Sequence, residues 1–289
     1  MKYAFIRDNS NDFSKRAMCR VLNVAPSGYY AWRSRPQSAH AQRDAELLGE
    51  VAAISLKSRC TYGSPRIHAA LSQRGVQCSR KRVARLMRTS GLGVKVRRRF
   101  RKTTDSNHAH SIAANVLNRN FSPEKIGAPN RWWAGDITYI PTAEGWLYLA
   151  VVLDLYSRRV IGWSMARSLE ATFVVDALRM AVTNRGNCSG VTHHSDRGSQ
   201  YADKDVRDFL KRFNIRRSMS RKADCWDNAV VESFFGTLKR EWLDDQRFLT
   251  RAEARSAVFE FIETWYNSQR LHSTLGYRTP IAFEADYAA

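Results

Sequence analysis

The run Trp146-Leu147-Tyr148-Leu149-Ala150-Val151-Val152-Leu153-Asp154 narrows the fold more than any other segment. Its apolar character does not alternate, so both of its faces must be covered, and it predicts a central, doubly buried strand. The segments around it agree. Residues 133–140 and 160–165 are rich in β-formers, and the connections Glu144-Gly145 and Ser157-Arg158 are short. Together they predict an antiparallel meander. Further on, 171–184 has the pattern of an amphipathic helix, 191–194 and 215–219 read as short strands, and 204–213 as a helix between them. The expected class is α/β, a mixed five-stranded sheet flanked by helices.

The half of the chain before Pro129 has a different texture. Residues 14–22 and 26–32 predict two short helices around Asn23-Val24-Ala25, a helix-turn-helix-like segment over 1–36. A second helical unit is expected over 40–102. In it, 44–56 forms a helix, and Ser64 caps another with Pro65 at its first position. Residues 79–88 then place Val83, Leu86 and Met87 on one face and Lys81, Arg85 and Arg88 on another. One face for a core and one for phosphates is how a recognition helix is built. Residues 103–125 are polar and read as a linker, and 126–289 as the α/β core with a C-terminal helical extension.

Charge sharpens this division. The net charge is +20. Residues 1–130 carry 25 Lys and Arg against 7 Asp and Glu, whereas 131–289 carry 22 against 20. An excess confined to one half invites a polyanion. The DNA-contact candidates are Arg80, Lys81, Arg82, Arg85 and Arg88, followed by the run Lys95, Arg97, Arg98, Arg99, Arg101 and Lys102. No stretch approaches eighteen apolar residues and the N-terminus lacks signal-peptide character, so a cytoplasmic, nucleoid-associated protein without membrane contact is expected. The five cysteines are scattered without a C-x-x-C pair, which predicts reduced thiols.

Three acids stand in unusual places. Asp136 lies within an apolar strand, Asp196 follows a strand end, and Glu232 lies in a strong helix. Read singly, each is as compatible with a turn or cap as with a site. On that helix Val231, Phe235, Leu238 and Trp242 form an apolar stripe, with Asn228, Glu232 and Lys239 along its flank. Asn228 is positioned to orient substrate and Lys239 to reach a phosphate, while Gly236 leaves room for a backbone. Three convergent carboxylates repel one another unless divalent metal is present, and Mg²⁺ prefers such oxygen ligands. Asp154 reads as structural, paired with Arg158 or Arg159.

Several motifs carry a family resemblance. They are Tyr62-Gly63 with the basic helix after it, the segments 133–140, 194–201 and 227–235, Tyr266-Asn267, and the stretch 270–280. In these the chain resembles the second-frame (OrfB-type) transposases of two-frame bacterial insertion sequences, members of the DDE superfamily with a core like that of retroviral integrases. The 35 residues between Asp196 and Glu232 match the family's spacing. The resemblance implies an RNase H-like core with Asp136, Asp196 and Glu232 as catalytic metal ligands. It also implies two Mg²⁺ ions, with Mn²⁺ as a substitute. The implied reaction is cleavage at element ends followed by strand transfer into target DNA. The implied partners are double-stranded DNA, a second copy or more in a synaptic oligomer, and an upstream-frame protein, fused or separate. The alternatives are an RNase H-like nuclease that does not join, and a DNA-binding repressor without catalysis. The stretch 270–280 is expected to lie near the active site, to touch DNA, or to be a structural tail.

Overall fold

The computed structural model describes residues 1–94, 112–221 and 225–288. It divides the chain into two compact units, Met1–Ala53 and Ile54–Ala289. The first unit holds α1 (Lys2–Asp8), α2 (Lys15–Val21), α3 (Pro26–Ser34) and most of α4 (Ala39–Lys57). The sequence showed no signal for α1, which supplies Ile6 to a small core with Met18, Cys19 and Tyr29.

In the second unit, α5 (Ser64–Gln73) and α6 (Arg80–Thr89) form the expected helix pair. Ser79 caps α6 by accepting from the Arg82 amide, and Val83, Leu86 and Met87 are buried. Gly63 rather than Ser64 caps α5. Here α5 docks on the C-terminal stretch. The Tyr62 hydroxyl accepts from the Leu271 amide at 2.7 Å, Arg66 Nε donates to the Leu271 carbonyl, and Gln73 donates to the Tyr277 carbonyl. The stretch 270–280 is therefore a brace between helical layers, with Tyr62 and Trp265 rings 5.8 Å apart.

Residues 112–125, read as part of a linker, pack against the core instead. Leu117 is buried, the Val116 amide donates to Ser218 Oγ, Asn115 donates to Asp227, and α7 (Pro123–Ile126) follows. Asn115 and Arg119 spend their polarity on Asp227, while Asn118, Asn120, Glu124 and Lys125 face solvent.

The sheet contains β1 (Trp132–Thr142), β2 (Gly145–Asp154), β3 (Val160–Ala166), β4 (Thr192–Ser195) and β5 (Arg216–Met219), in the order β3-β2-β1-β4-β5. The first three form the predicted antiparallel meander, with Trp133 opposite Asp154 and Asp136 opposite Val151. β4 joins β1 in parallel and β5 joins β4 in parallel. The apolar run on β2 is central and buried from Leu149 to Asp154. One face is covered by α8 (Ala171–Arg185), which approaches so closely that a Cβ on Gly162 would lie 2.2 Å from the Ala177 carbonyl. Helices α9 (Ser199–Ala202) and α10 (Lys204–Arg212) complete this core.

Helices α11 (Ala229–Leu238) and α12 (Arg251–Phe259) pack against β1. Each opens at its C-terminal end into a π-helical segment, Lys239–Leu243 and Glu260–Tyr266. The wider turn buries the consecutive residues Glu241, Trp242 and Leu243. A uniform helix through 228–242 was expected. Instead, Asn228 ends a 3₁₀ turn before α11 and Lys239 opens the π segment. The chain ends in α13 (Pro280–Ala288).

The outer edge of β3 is closed by side chains. Asn267 accepts from the Val160 amide and donates to its carbonyl, both at 2.9 Å. Asn184 donates to the Ile161 carbonyl and Arg255 to the Met165 carbonyl.

Candidate active site

Parallel pairing of β1 with β4 sets the site. Gly135 lies opposite Ser195, so the next residues along both strands are Asp136 and Asp196. Two adjacent parallel strands thus deliver two carboxylates at one level. Gly135 is required for this approach, since a Cβ there would meet His193 Nε2 at 2.5 Å and Tyr201 Cε1 at 3.2 Å. Asp136 Oδ1 accepts from the Ile137 amide at 2.8 Å, and Asp196 Oδ1 from the Gly198 amide at 2.9 Å. Both acids are half-buried.

The third acid arrives on α11. Asn228 Nδ2 donates to the Gly135 carbonyl at 3.2 Å, which holds the start of the helix against β1 beside Asp136. Glu232 follows one turn later and is exposed. Gly236, one turn further, has open space around it. Lys239 Nζ lies 5.0 Å from the centre of the Tyr139 ring.

The electrostatics are those of carboxylates without enough counter-charge. Burial pushes the Asp136 carboxyl well above the ordinary range, and the charges of Asp196 and Glu232 push it further. The Ile137 amide and Lys239 oppose this. Burial lowers the Lys239 ammonium, against the pull of Asp244 and Asp136. Among the described residues, no three His, Cys, Asp or Glu side chains converge as ligands of a single ion. The donor set still fits hard divalent ions, because every acid offers only oxygen.

Several residues that the sequence reading left without a role support the site. His193 and Tyr201 lie behind Gly135, and neither His193 Nε2 nor the Tyr201 hydroxyl has a hydrogen-bond partner. Burial, with His194 and Arg217 nearby, pushes His193 down to about 3, so it is neutral at pH 7 and adds no positive charge behind the acids. His194 is held between Ser218 Oγ at 2.8 Å and Ser220 Oγ at 3.3 Å.

Asp227 is a hub just before α11. It accepts from Arg221, Asn115 and Arg119, and the Arg221 guanidinium above all holds its carboxyl below the usual range. Behind α11, buried Glu241 forms a bidentate pair with buried Arg270, at 2.7 and 2.6 Å. Asp227 and Arg270 stand in the quoted motifs, but Asn115 and Arg119 lie more than a hundred positions from Asp227, and Glu241 lies 29 from Arg270.

Asp154 is structural, as expected, but its partners differ from those expected. It accepts from the Asn130, Tyr156 and Ser157 amides and lies 3.9 Å from Arg185 on α8. Arg158 turns instead to the Phe121 carbonyl, and Arg159 pairs with Glu284.

Of the basic candidates, Arg80, Lys81 and Arg88 are exposed on α6, while Arg82 and Arg85 are half-buried. Lys95, Arg97, Arg98, Arg99, Arg101 and Lys102 lie outside the described residues. Among the described helices, none is long and apolar enough to cross a membrane.

Comparison with known proteins joins these parts. Residues 127–225 and 199–280 match two family models, each described as an integrase core domain, and residues 42–100 match an HTH-like domain. The chain is 44% identical over 286 residues to the transposase InsF of insertion sequence IS3A from Escherichia coli (strain K12), covering 98% of both proteins. It is 43% identical to the insertion element IS600 uncharacterized 31 kDa protein of Shigella sonnei, covering 93% of this chain and 98% of the relative. A looser likeness, with TM-score 0.47 and 18% identity over 81% of this chain and 74% of the other, extends to the simian T-cell lymphotropic virus intasome in complex with the PP2A regulatory subunit B56 gamma. The integrase core family is metal-dependent. With an HTH-like domain and an integrase core in tandem, and near-complete overlap with InsF, the chain belongs to the IS3 family of insertion-sequence transposases, DDE polynucleotidyl transferases.

Proposed function

We propose that this transposase cuts at the ends of its element and joins the freed 3′-hydroxyl to target DNA, with Asp136, Asp196 and Glu232 holding divalent metal. One observation carries the assignment. The paired strands β1 and β4 carry Asp136 and Asp196 side by side, and the charges of both Asp196 and Glu232 act on Asp136, which supports this reading. The donor chemistry suits two Mg²⁺ ions, with Mn²⁺ as a substitute. Held by these residues, such ions would activate the attacking oxygen and neutralise the leaving one.

The chain's own groups do the rest. Asn228 fixes α11 to β1 and so sets the distance of Glu232 from the two aspartates. Lys239 is held against Tyr139 as a cation at the rim of the site, where it contacts a backbone phosphate. Neutral His193 and Tyr201 form an uncharged floor that adds no competing cation. Arg80, Lys81, Arg82, Arg85 and Arg88 contact DNA from α6, and the basic run 95–102 extends that track. Double-stranded DNA, both element end and target, is the substrate. Bringing two ends together requires at least two copies, joined by or fused to an upstream-frame protein.

The test is a strand-transfer assay on labelled, pre-cleaved element ends. Joining by the wild-type chain with Mg²⁺, lost in EDTA and in Asp136→Asn, is the expected result. Cutting without joining would replace this reading with that of a nuclease, and joining in EDTA would remove the metal role.

A further inference from the structure

The HTH-like family match covers 42–100 and leaves the first three helices unassigned. These helices form a compact core of their own. Ile6, Met18, Cys19 and Tyr29 are buried, and Tyr3, Leu22, Val24 and Trp32 pack around them. The rings of Tyr3 and Tyr29 lie 5.8 and 6.2 Å from that of Trp32. Packing is tight enough that a Cβ on Gly28 would lie 2.4 Å from the Tyr3 hydroxyl.

The turn between α2 and α3 is Leu22–Ala25, with Asn23 in the left-handed region at φ 50°. The Val24 amide donates to the Cys19 carbonyl, and Lys2 Nζ donates to the Leu22 carbonyl. Helix, four-residue turn, helix, on a three-helix core, is the geometry of a DNA-reading module.

The outward face of α3 carries the second argument. Gly28, Tyr29 and Trp32 face the core. On the opposite side of the first two turns stand Ser27, Tyr30 and Ala31, at i, i+3 and i+4, all exposed, with Tyr30 at 53%. That set comprises a hydroxyl, a phenol and a methyl, near the N-terminal end of the helix where recognition helices touch base edges. Residues 13–43 contain no Asp or Glu, yet hold Lys15, Arg16, Arg20, Arg33, Arg35 and Arg43. A protein-binding face would not need an acid-free surround, whereas a phosphate backbone does.

We infer that α1–α3 form a second, separate DNA-binding site, with α3 entering the major groove through Ser27, Tyr30 and Ala31. Arg33 and Arg35 flank it on phosphates. The chain then reads an element end at two places, once with α3 and once with α6. The inference rests on the DNA-binding reading of α6 given above.

The test is hydroxyl-radical footprinting of the full-length chain on a duplex carrying the element's terminal repeat, without divalent metal. Two separated protected tracts are expected. Ser27→Ala with Tyr30→Ala, and independently Ala31→Glu, should erase one tract and weaken binding at least about tenfold. Both changes lie on an exposed helix face and leave the core intact. Arg33→Ala with Arg35→Ala should lower the salt slope of binding by about two. Arg80→Ala with Lys81→Ala and Arg88→Ala should erase the other tract alone. A footprint unchanged by both α3 variants, with affinity within about twofold, would overturn the inference while leaving α6 standing. Loss of self-association by those variants with the footprint intact would overturn it too, making the face a contact between copies. Absence of any protection would sink both readings.

Discussion

Asp136 on β1 and Asp154 on β2 lie three rungs apart in one antiparallel ladder, yet the chain treats them in opposite ways. Burial raises the carboxyl of each. At Asp154 the neighbours are donors: three backbone amides and Arg185. At Asp136 one backbone amide donates and Lys239 is near, but the charges of two acids, Asp196 and Glu232, add to the burial, against one, Glu284, at Asp154. The same side chain in the same sheet is a fastener in one place and an unbalanced charge in the other. Position in the sheet thus does not set an acid's role; the groups around it do.

The comparison can be broken most directly at Asp136. Asp136→Asn should cut strand transfer about a thousandfold, which corresponds to several kcal/mol of lost transition-state stabilisation, with no loss of thermal stability. A product gel and a calorimetric scan decide it, and a fall in Tm would place Asp136 among the fasteners. Next is Glu241→Gln. This leaves Arg270 buried without its partner and should destabilise the fold by about 3–5 kcal/mol, read by urea unfolding. Asp154→Asn should cost about 1–3 kcal/mol, because one carbonyl oxygen cannot serve every donor around it.

A smaller effect concerns pH in the absence of metal. Because the folded-state pKa of Asp136 is raised, its contribution to stability is fully present below about pH 4 and is lost as pH rises through the folded value. Asp136→Asn should remove that loss and raise the Tm in EDTA at pH 7 by about 2–4 °C. Equal melting curves for the two proteins would show that the carboxylates do not strain each other. The smallest effect expected is for Arg88→Ala, which should lower the salt slope of DNA binding by about one without touching cleavage of pre-bound ends.

What the sequence made legible was whatever it writes locally. The unbroken apolar run of β2, the strand around Asp136 and the apolar stripe of α11 are patterns within a few residues, and the structure keeps them. Ionic partners were not legible. Arg185 reaches Asp154 across 31 positions, Arg270 reaches Glu241 across 29, and Asn115 reaches Asp227 across 112. Nothing in the periodicity of either partner marks such pairs. The polar stretch before α7 misled for a related reason. Its amides bond to β5 and Asn115 to Asp227, anchors that a solvent-facing composition does not reveal. The π segments escaped because an extra residue in a turn changes no local composition.

The side-chain seal along β3 limits how copies of this transposase can meet. Asn267, Asn184 and Arg255 occupy backbone groups that an incoming strand would need. On the far side of the sheet, the segment before α7 lies along β5. A neighbour therefore cannot extend the sheet at β3 by strand addition without first stripping these partners away. An open strand edge is a template for aggregation, and at β3 the chain is guarded against polymerising through its own sheet.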